Sequence, residues 1–447
     1  MAAGNDTKGY AEFAATALVC YPSSGGEVAM RDVAAAMPRS GTLARLTSGM
    51  KFMIKRAGQV RGGVPAFAFA TIALLLCAAP CAAPAAPIAS DPVPHFREAD
   101  DAARFLAGLP SRPGSPFAPL EETAAWKEHR RKLDESWKGA EAGFVSGLRS
   151  FGEGTIARGS EPELSLFYPF GGPDALTAVM CFPQSPEYML VGLEPVGTLP
   201  TEAQIEKKDL PLFLGAIRES MASVLGRSFF VTRQMDKQFR GQLTDGLLLP
   251  ITLLLVRTDH QILGMRPVRV DESGRVVAWP AEGVTSKFKN AGVEIDFQSK
   301  GRVQRLYYFS VNLMDNRLGT NAGFQTFITE LGTVKTLLKA TSYMTHHPEF
   351  SIIRNDILAQ SEEILQDDSG IPYMFFESSQ WHVRLFGEYE KPYGSFRWLE
   401  QPALRQAYQS PGVEPLPFHI GYGFHRIPSN LLLARRASAF PRAQVGN

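Results

Sequence analysis

The apolar positions change period several times along the chain. Residues 66–79 are apolar or small throughout and hold no charge. From His95 the apolar residues Phe96, Ala99, Ala103, Leu106 and Leu109 recur at spacings of three and four, which predicts an amphipathic helix. Pro94 presets its first turn and Pro110 marks its end. Trp126, Leu133 and Trp137 share one face of a second helix, predicted over residues 120–139. At Glu161 this period ends. Two short apolar runs, residues 175–182 and 188–193, then read as strands, with the turn-like Tyr168-Pro169-Phe170-Gly171-Gly172-Pro173-Asp174 ahead of them. A long helix is expected over residues 212–239, with Gly226 as a break point.

Two hairpins follow. MRPVRV and RVVAW flank a turn at residues 271–274, and GVEIDF and VQRLYYFSV flank one at 298–301. Alternation around glycine-containing turns is the mark of antiparallel pairing. In the second, Val293, Ile295 and Phe297 point one way and Glu294 and Asp296 the other. A further helix is predicted from the N-cap Asn321 to about Tyr343, with Phe324, Phe327, Leu331, Val334 and Leu338 as its stripe. Another covers residues 351–365. In WHVRLF, Trp381, Val383 and Leu385 alternate with His382 and Arg384. The pattern predicts an α+β fold, a mixed or antiparallel sheet built partly from hairpins and covered by several helices. No strand–helix alternation of the doubly wound kind is read from it.

The uncharged run at 66–79 has Lys51, Lys55, Arg56 and Arg61 ahead of it and the small-residue stretch CAAPAAPIAS behind it. Basic flank, short apolar core and small-residue exit are the parts of a secretory signal. The core is shorter than the roughly 20 residues that span a bilayer. Ala83 and Ala85 bracket Pro84 as a cleavage site. Residues before Cys77 and Cys81 are a poor match to lipid attachment. The expected organisation is a leader at 1–49 outside the working protein, with translation starting at Met50 or Met53, a signal peptide at 50–85, a helical region at 86–160 and a main α+β domain at 161–447. Membrane contact is expected only through the signal segment, if it is uncleaved or lipidated. The mature protein is expected in the periplasm or outside the cell.

Cleavage changes the charge. Residues 1–85 hold eight of the 46 basic and four of the 45 acidic side chains, so a chain of net +1 becomes one of net −3. With no basic stripe, nucleic acid is not an expected partner. Only Cys181 remains, inside the apolar AVMCF, and reads as a buried small hydrophobe.

Candidate chemistry is thin. The segment Gln366-Asp367-Asp368-Ser369-Gly370-Ile371-Pro372-Tyr373 joins adjacent carboxylates to turn residues. It reads either as a catalytic or ligand site or as a hydrogen-bonded polar turn. Asp174 and Glu194, also loop carboxylates beside apolar runs, are expected to converge with Asp367 and Asp368 at one rim of the sheet, as a carboxylate set for glycoside cleavage or as turn anchors. Tyr168, Tyr373, Trp381, His382 and His419 are the ligand-binding candidates. His346 and His347 are adjacent, which suits chelation poorly, and HExxH, GxSxG, GxxxxGK[ST] and CxxC are absent from the sequence. Ser286-Lys287-Phe288-Lys289 matches SxxK without its companion motifs. No cofactor and no metal are expected.

The segments FYPFGGPD, GLEPVG, QDDSGIPYMFF, LFGEY and the terminal GYG…SNLLLA together resemble a group of exported proteins of the bacterial cell envelope. The resemblance spans residues 164–435. It implies one cooperative fold and an envelope location, and brings no activity with it. Three function classes follow: a binding or assembly module acting on an envelope glycan or protein, a carboxylate-dependent hydrolase of an envelope glycan or related polymer, and a purely structural domain. The first is preferred, because no recognised catalytic constellation appears.

Overall fold

A computed structural model of the chain describes residues 97–229, 246–279, 290–392, 394–422 and 429–437. The signal segment, its cleavage point and cysteines, the leader, His95 and Phe96, residues 230–239 of the expected long helix and the SxxK stretch lie outside the described residues.

Ten strands form one mixed sheet: β1 (Leu166–Tyr168), β2 (Glu187–Gly192), β3 (Gln261–Val270), β4 (Val276–Ala278), β5 (Ala291–Ser299), β6 (Arg302–Ser310), β7 (Val334–Leu338), β8 (Ser361–Gln366), β9 (Trp381–Gly387) and β10 (Asn430–Arg436). Their order is β4-β3-β5-β6-β2-β1-β7-β8-β10-β9. Both expected hairpins are present, with Gly292 opposite Phe309 and Val268 opposite Ala278. The five central strands, β6 to β8, are parallel, and antiparallel strands flank them on both sides. The fold is α+β with a mixed sheet, but its centre does contain strand–helix–strand crossovers that the sequence pattern hid.

They were hidden by three segments. The run expected as a strand at 175–182 is a helix, Ala175–Cys181, with all seven residues buried. A short wholly apolar run carries no period, so burial on all sides looks the same in either state. What decides it is Asp174, whose carboxylate accepts from Thr177 N at 3.2 Å and caps the first turn. The helix capped by Asn321 ends at Glu330, not near Tyr343; Gly332 takes φ +64°, and Val334–Leu338 is the buried strand β7. Likewise the helix from Ser351 ends at Gln360, and Ser361–Gln366 is β8. Parallel strands buried on both faces lack the alternation that marks half-exposed ones.

Each face of the sheet has its own helical layer. On the first lie α1 (Arg97–Leu106), α2 (Ala124–Ala140), α3 (Ala175–Cys181), α4 (Leu210–Arg227) and α5 (Leu248–Arg257), packed on Tyr188, Leu190, Leu306 and Tyr308. On the second lie α6 (Ala322–Glu330) and α7 (Ser351–Gln360), with α8 (Pro402–Tyr408), packed around Met189, Val191, Tyr307 and Phe309. Successive residues of β2 and β6 thus alternate between the two cores, as the two-residue period of a strand requires. The helical region at 97–156 shares the first core with the sheet. All ten residues of α5 are buried. At about 1.5–3 kcal/mol for each large apolar side chain taken from water, this helix is a main source of cohesion between α1, α3 and β3. Among the described residues no helix is long and apolar enough to cross a membrane.

Val293, Ile295 and Phe297 do share the first core. Of their alternates, Asp296 is half-buried and Glu294 is fully buried, 3.0 Å from Arg266 and 3.4 Å from Arg305. Cys181 is buried in α3, and burial pushes its thiol up, away from reactivity.

Candidate functional site

β1 ends in the turn Tyr168-Pro169-Phe170-Gly171-Gly172-Pro173-Asp174. Phe170 and Gly172 take φ +64° and +53°, and a Cβ on Gly171 would lie 2.6 Å from the Tyr168 ring. The chain therefore folds back over its own tyrosine before α3 begins. β2 ends at Gly192, where a Cβ would lie 2.8 Å from the Tyr308 hydroxyl and 3.1 Å from Gly172 Cα. These two strand ends meet through bare backbone, and the side chains that follow rise around them.

From β1 the chain passes through α3, in the first helical layer, to β2, and β6 lies beyond it. On the other side of β1 lie β7 and β8, joined by α7 in the second layer. The strand order reverses between β1 and β7. Open α/β sheets bind ligands in the crevice outside the carboxyl ends of their strands, at such a point. A cleft of about 130 Å³ opens here. The ends of four parallel strands supply its walls: Asp174 after β1, Glu194 after β2, Val311 after β6, and Lys339 and Ser342 after β7. Phe229 and Tyr422, which pack edge-to-face at 5.4 Å, add aromatic surface.

At the cleft floor Lys339 and Asp174 form a buried ion pair, Nζ to Oδ2 2.6 Å, with each side chain 3 % exposed. Lys339 also donates to Thr177 Oγ1 at 2.7 Å and to the Ser228 carbonyl at 2.6 Å, so three acceptors surround one ammonium. Tyr168 donates its hydroxyl to Asp174 Oδ2 at 3.0 Å; burial, then the Asp174 charge, push the phenol well up, so it stays protonated. Glu194 is half-buried beside them and accepts from Leu193 N at 3.2 Å.

The β7 wall is unusual. Ala340, Ser342 and Tyr343 take φ +52°, +56° and +57°, in the left-handed region that side chains avoid. A polar knot behind them holds this path. Asp367 accepts from Ala340 N at 2.9 Å through Oδ2, and from Ser369 N and Oγ at 3.0 and 2.5 Å through Oδ1. Thr341 N donates to Ser369 Oγ at 2.9 Å. Asp368 accepts from the Tyr343 hydroxyl at 2.5 Å and from Asn430 at 3.0 Å. Tyr422 accepts from Ser342 N at 3.2 Å. Gly421, at φ +59°, leaves room for Asp367 where any side chain would strike its carboxylate.

The sequence candidates are distributed as follows. Asp174, Glu194 and Tyr168 line the cleft. Asp367 and Asp368 sit behind its β7 wall, after a strand rather than after a helix. Tyr373 lies in a short 3-10 turn, its backbone N–H bonded to Gln401. Trp381 and His382 begin β9, where they pair with Arg436 and Arg435 of β10 at the opposite end of the sheet. Arg436 stacks on Trp381 at 4.2 Å. His419 is half-buried between Phe418 and Ile420 of the first core. None of these last four lines the cleft. Lys339 is the residue that sequence reading passed over. Its signal was slight: a lysine closing VKTLLK, directly after a run that folds as a buried strand. Among the described residues no group of three or more His, Cys, Asp or Glu is placed to hold a metal ion.

Burial, then the neighbouring Asp368 charge, push Asp367 up to about 7. An unfolded aspartate titrates near 3.9. The folded state therefore binds the proton more tightly. The contribution of this group to stability is fully present below about pH 4 and is lost as pH rises through about 7. Unfolding free energies of the wild type, less those of Asp367→Asn, are expected to fall across that window. A flat difference from pH 4 to 8 is the contrary result.

No family model matches the chain, and no curated protein matches it.

Proposed function

We propose that this protein is a binding module for a small hydroxyl-bearing ligand, of the nucleoside class, held in the cleft at the carboxyl ends of β1, β2, β6 and β7. The observation that carries this reading is the coincidence of the cleft with the point where strand order reverses. Glu194 adds the chemistry. In doubly wound sheets an acidic residue about 20 positions after the first glycine-rich turn accepts the ribose hydroxyls. Glu194 stands 23 residues after Gly171, at the end of the second strand. This is an analogy of site geometry, and it concerns binding alone.

The same geometry disfavours a phosphate. The start of α3, where a dinucleotide places its pyrophosphate, already carries the Asp174 carboxylate. The ligand class is therefore an unphosphorylated nucleoside, its ring against Phe229 and Tyr422. Glycan cleavage draws less support, because Asp174, Asp367 and Asp368 each hold buried or turn-locking partners. The apolar run at 66–79 and its basic flank support binding outside the cytoplasm.

Saturation-transfer NMR with adenosine, and with ribose and a β-linked glucan fragment as further arms, tests the reading. Adenosine is expected to bind, and Glu194→Gln to weaken it about tenfold or more, since hydrogen bonds to a charged acceptor are the stronger kind. AMP is expected to bind less well than adenosine. Transfer to the glucan alone, or an unchanged affinity in Glu194→Gln, refutes the nucleoside reading.

A further inference from the structure

We infer that Asp367 and Ser369 are positioning residues for the ligand cleft: from behind, they hold Ala340 and Thr341 in the backbone path that shapes its β7 wall. The inference rests on the cleft being the binding site. Its grounds lie in the arrangement of the wall itself.

Three non-glycine residues within four positions take positive φ. Such conformations persist only where the surroundings over-determine them, and they gather at ligand clamps. Here the surroundings are identifiable. The amides of Ala340 and Thr341 point away from the cleft, into Asp367 and Ser369. Thr341 adds its own hydroxyl to the Ser369 carbonyl at 2.5 Å. Asp367 is 3 % exposed and Ser369 fully buried. Neither lines the cleft, while Lys339, Ala340, Thr341 and Ser342 all do. The adjacent carboxylates thus have divided roles. Asp367 faces the wall backbone, and Asp368 faces Tyr343 and Asn430.

Two substitutions separate positioning from plain stability. Ser369→Ala removes the acceptor of the Thr341 amide. Asp367→Asn places an NH2 group against one of three donors. In the full-length, ligand-free protein, hydrogen exchange of residues 339–343 is expected to accelerate about tenfold or more in both variants, the scale of a lost charged or buried hydrogen bond. Exchange in the last turn of α5, a helix packed against α1 and β3, is expected to stay at the wild-type rate. Adenosine affinity is expected to fall with the exchange protection, and Tyr343→Phe, which frees only Asp368, to change either by less.

Unchanged exchange at Ala340 and Thr341 overturns the inference, as does accelerated exchange with wild-type adenosine affinity. Loss of protection in the last turn of α5 as well assigns the knot to global folding and overturns it too. If adenosine fails to bind the wild type, the nucleoside proposal falls, and local exchange then decides the positioning role alone.

Discussion

Lys339→Met is expected to destabilise the protein by about 3–5 kcal/mol, the range for removing one partner of a buried ion pair. The substitution leaves the Asp174 carboxylate inside the fold without its cation, and leaves Thr177 Oγ1 and the Ser228 carbonyl without their donor. The loss is not one of attraction between charges. In the native protein that attraction offsets the desolvation of both groups, and the variant retains one desolvation without the offset. The double variant Lys339→Met, Asp174→Asn is therefore expected to recover more than half of the loss. Asparagine still caps α3 through its carbonyl oxygen. Denaturant unfolding of the two single variants and the double checks this cycle. A double variant no more stable than Lys339→Met removes the ion-pair account and leaves lost packing in its place.

Arg435→Met is expected to have an effect of the same size, at the other end of the sheet. Arg435 donates to Glu363 Oε2 at 2.5 Å, and to the carbonyls of Arg158 and Ile156 at 2.6 Å each. It ties the last strand to the turn that ends the N-terminal helical region. Burial raises the Glu363 carboxyl, and Arg435 opposes that rise. Without the guanidinium only the weaker opposition of Lys335 and Ser160 remains. Glu363 in the variant then takes up its proton at a higher pH than in the wild type. The sign follows from linkage: the deficit of about 3–5 kcal/mol at neutral pH shrinks as pH falls and the carboxyl neutralises. Stability curves at pH 7.5 and 5 give the comparison. A deficit that grows at pH 5 contradicts the assignment.

Residues with local signals were legible in the sequence. Asn321 caps its helix, the two hairpins close at their glycines, and Trp126 and Leu133 are buried on α2. The parallel centre was not legible, and the reason is physical. Val334 to Leu338 continue the three-and-four spacing begun by Phe324 and Phe327, so a strand buried on both faces passed as the far end of a helix. Residues 361–366 were lost in the same way. At the cleft, Asp174 and Glu194 could be paired from their places beside short apolar runs. The two aspartates at 367 and 368 drew attention as chemistry. Their surroundings in the fold are the backbone of a wall and a tyrosine. Only the register of β7 against β8, Leu338 opposite Gln366, puts the knot behind the wall. No local pattern contains that pairing.

The same sheet order sets when the centre of the molecule can close. β1 lies between β2, which begins 21 residues after it, and β7, which begins 168 residues after it, counting from Leu166 to Glu187 and Val334. β2 in turn waits for β6, with Glu187 opposite Arg305. Loop closure of that length precedes any reward from pairing, so nucleation at the centre is slow. A chain emerging in order exposes a short, mostly apolar β1–β2 ribbon with both edges unpaired until β6 and β7 have been made. The interval is a window in which such edges accept any strand that is offered. The feature that builds the cleft, two neighbouring strand ends contributed by distant parts of the chain, is also the one that leaves the nascent protein most open to aggregation.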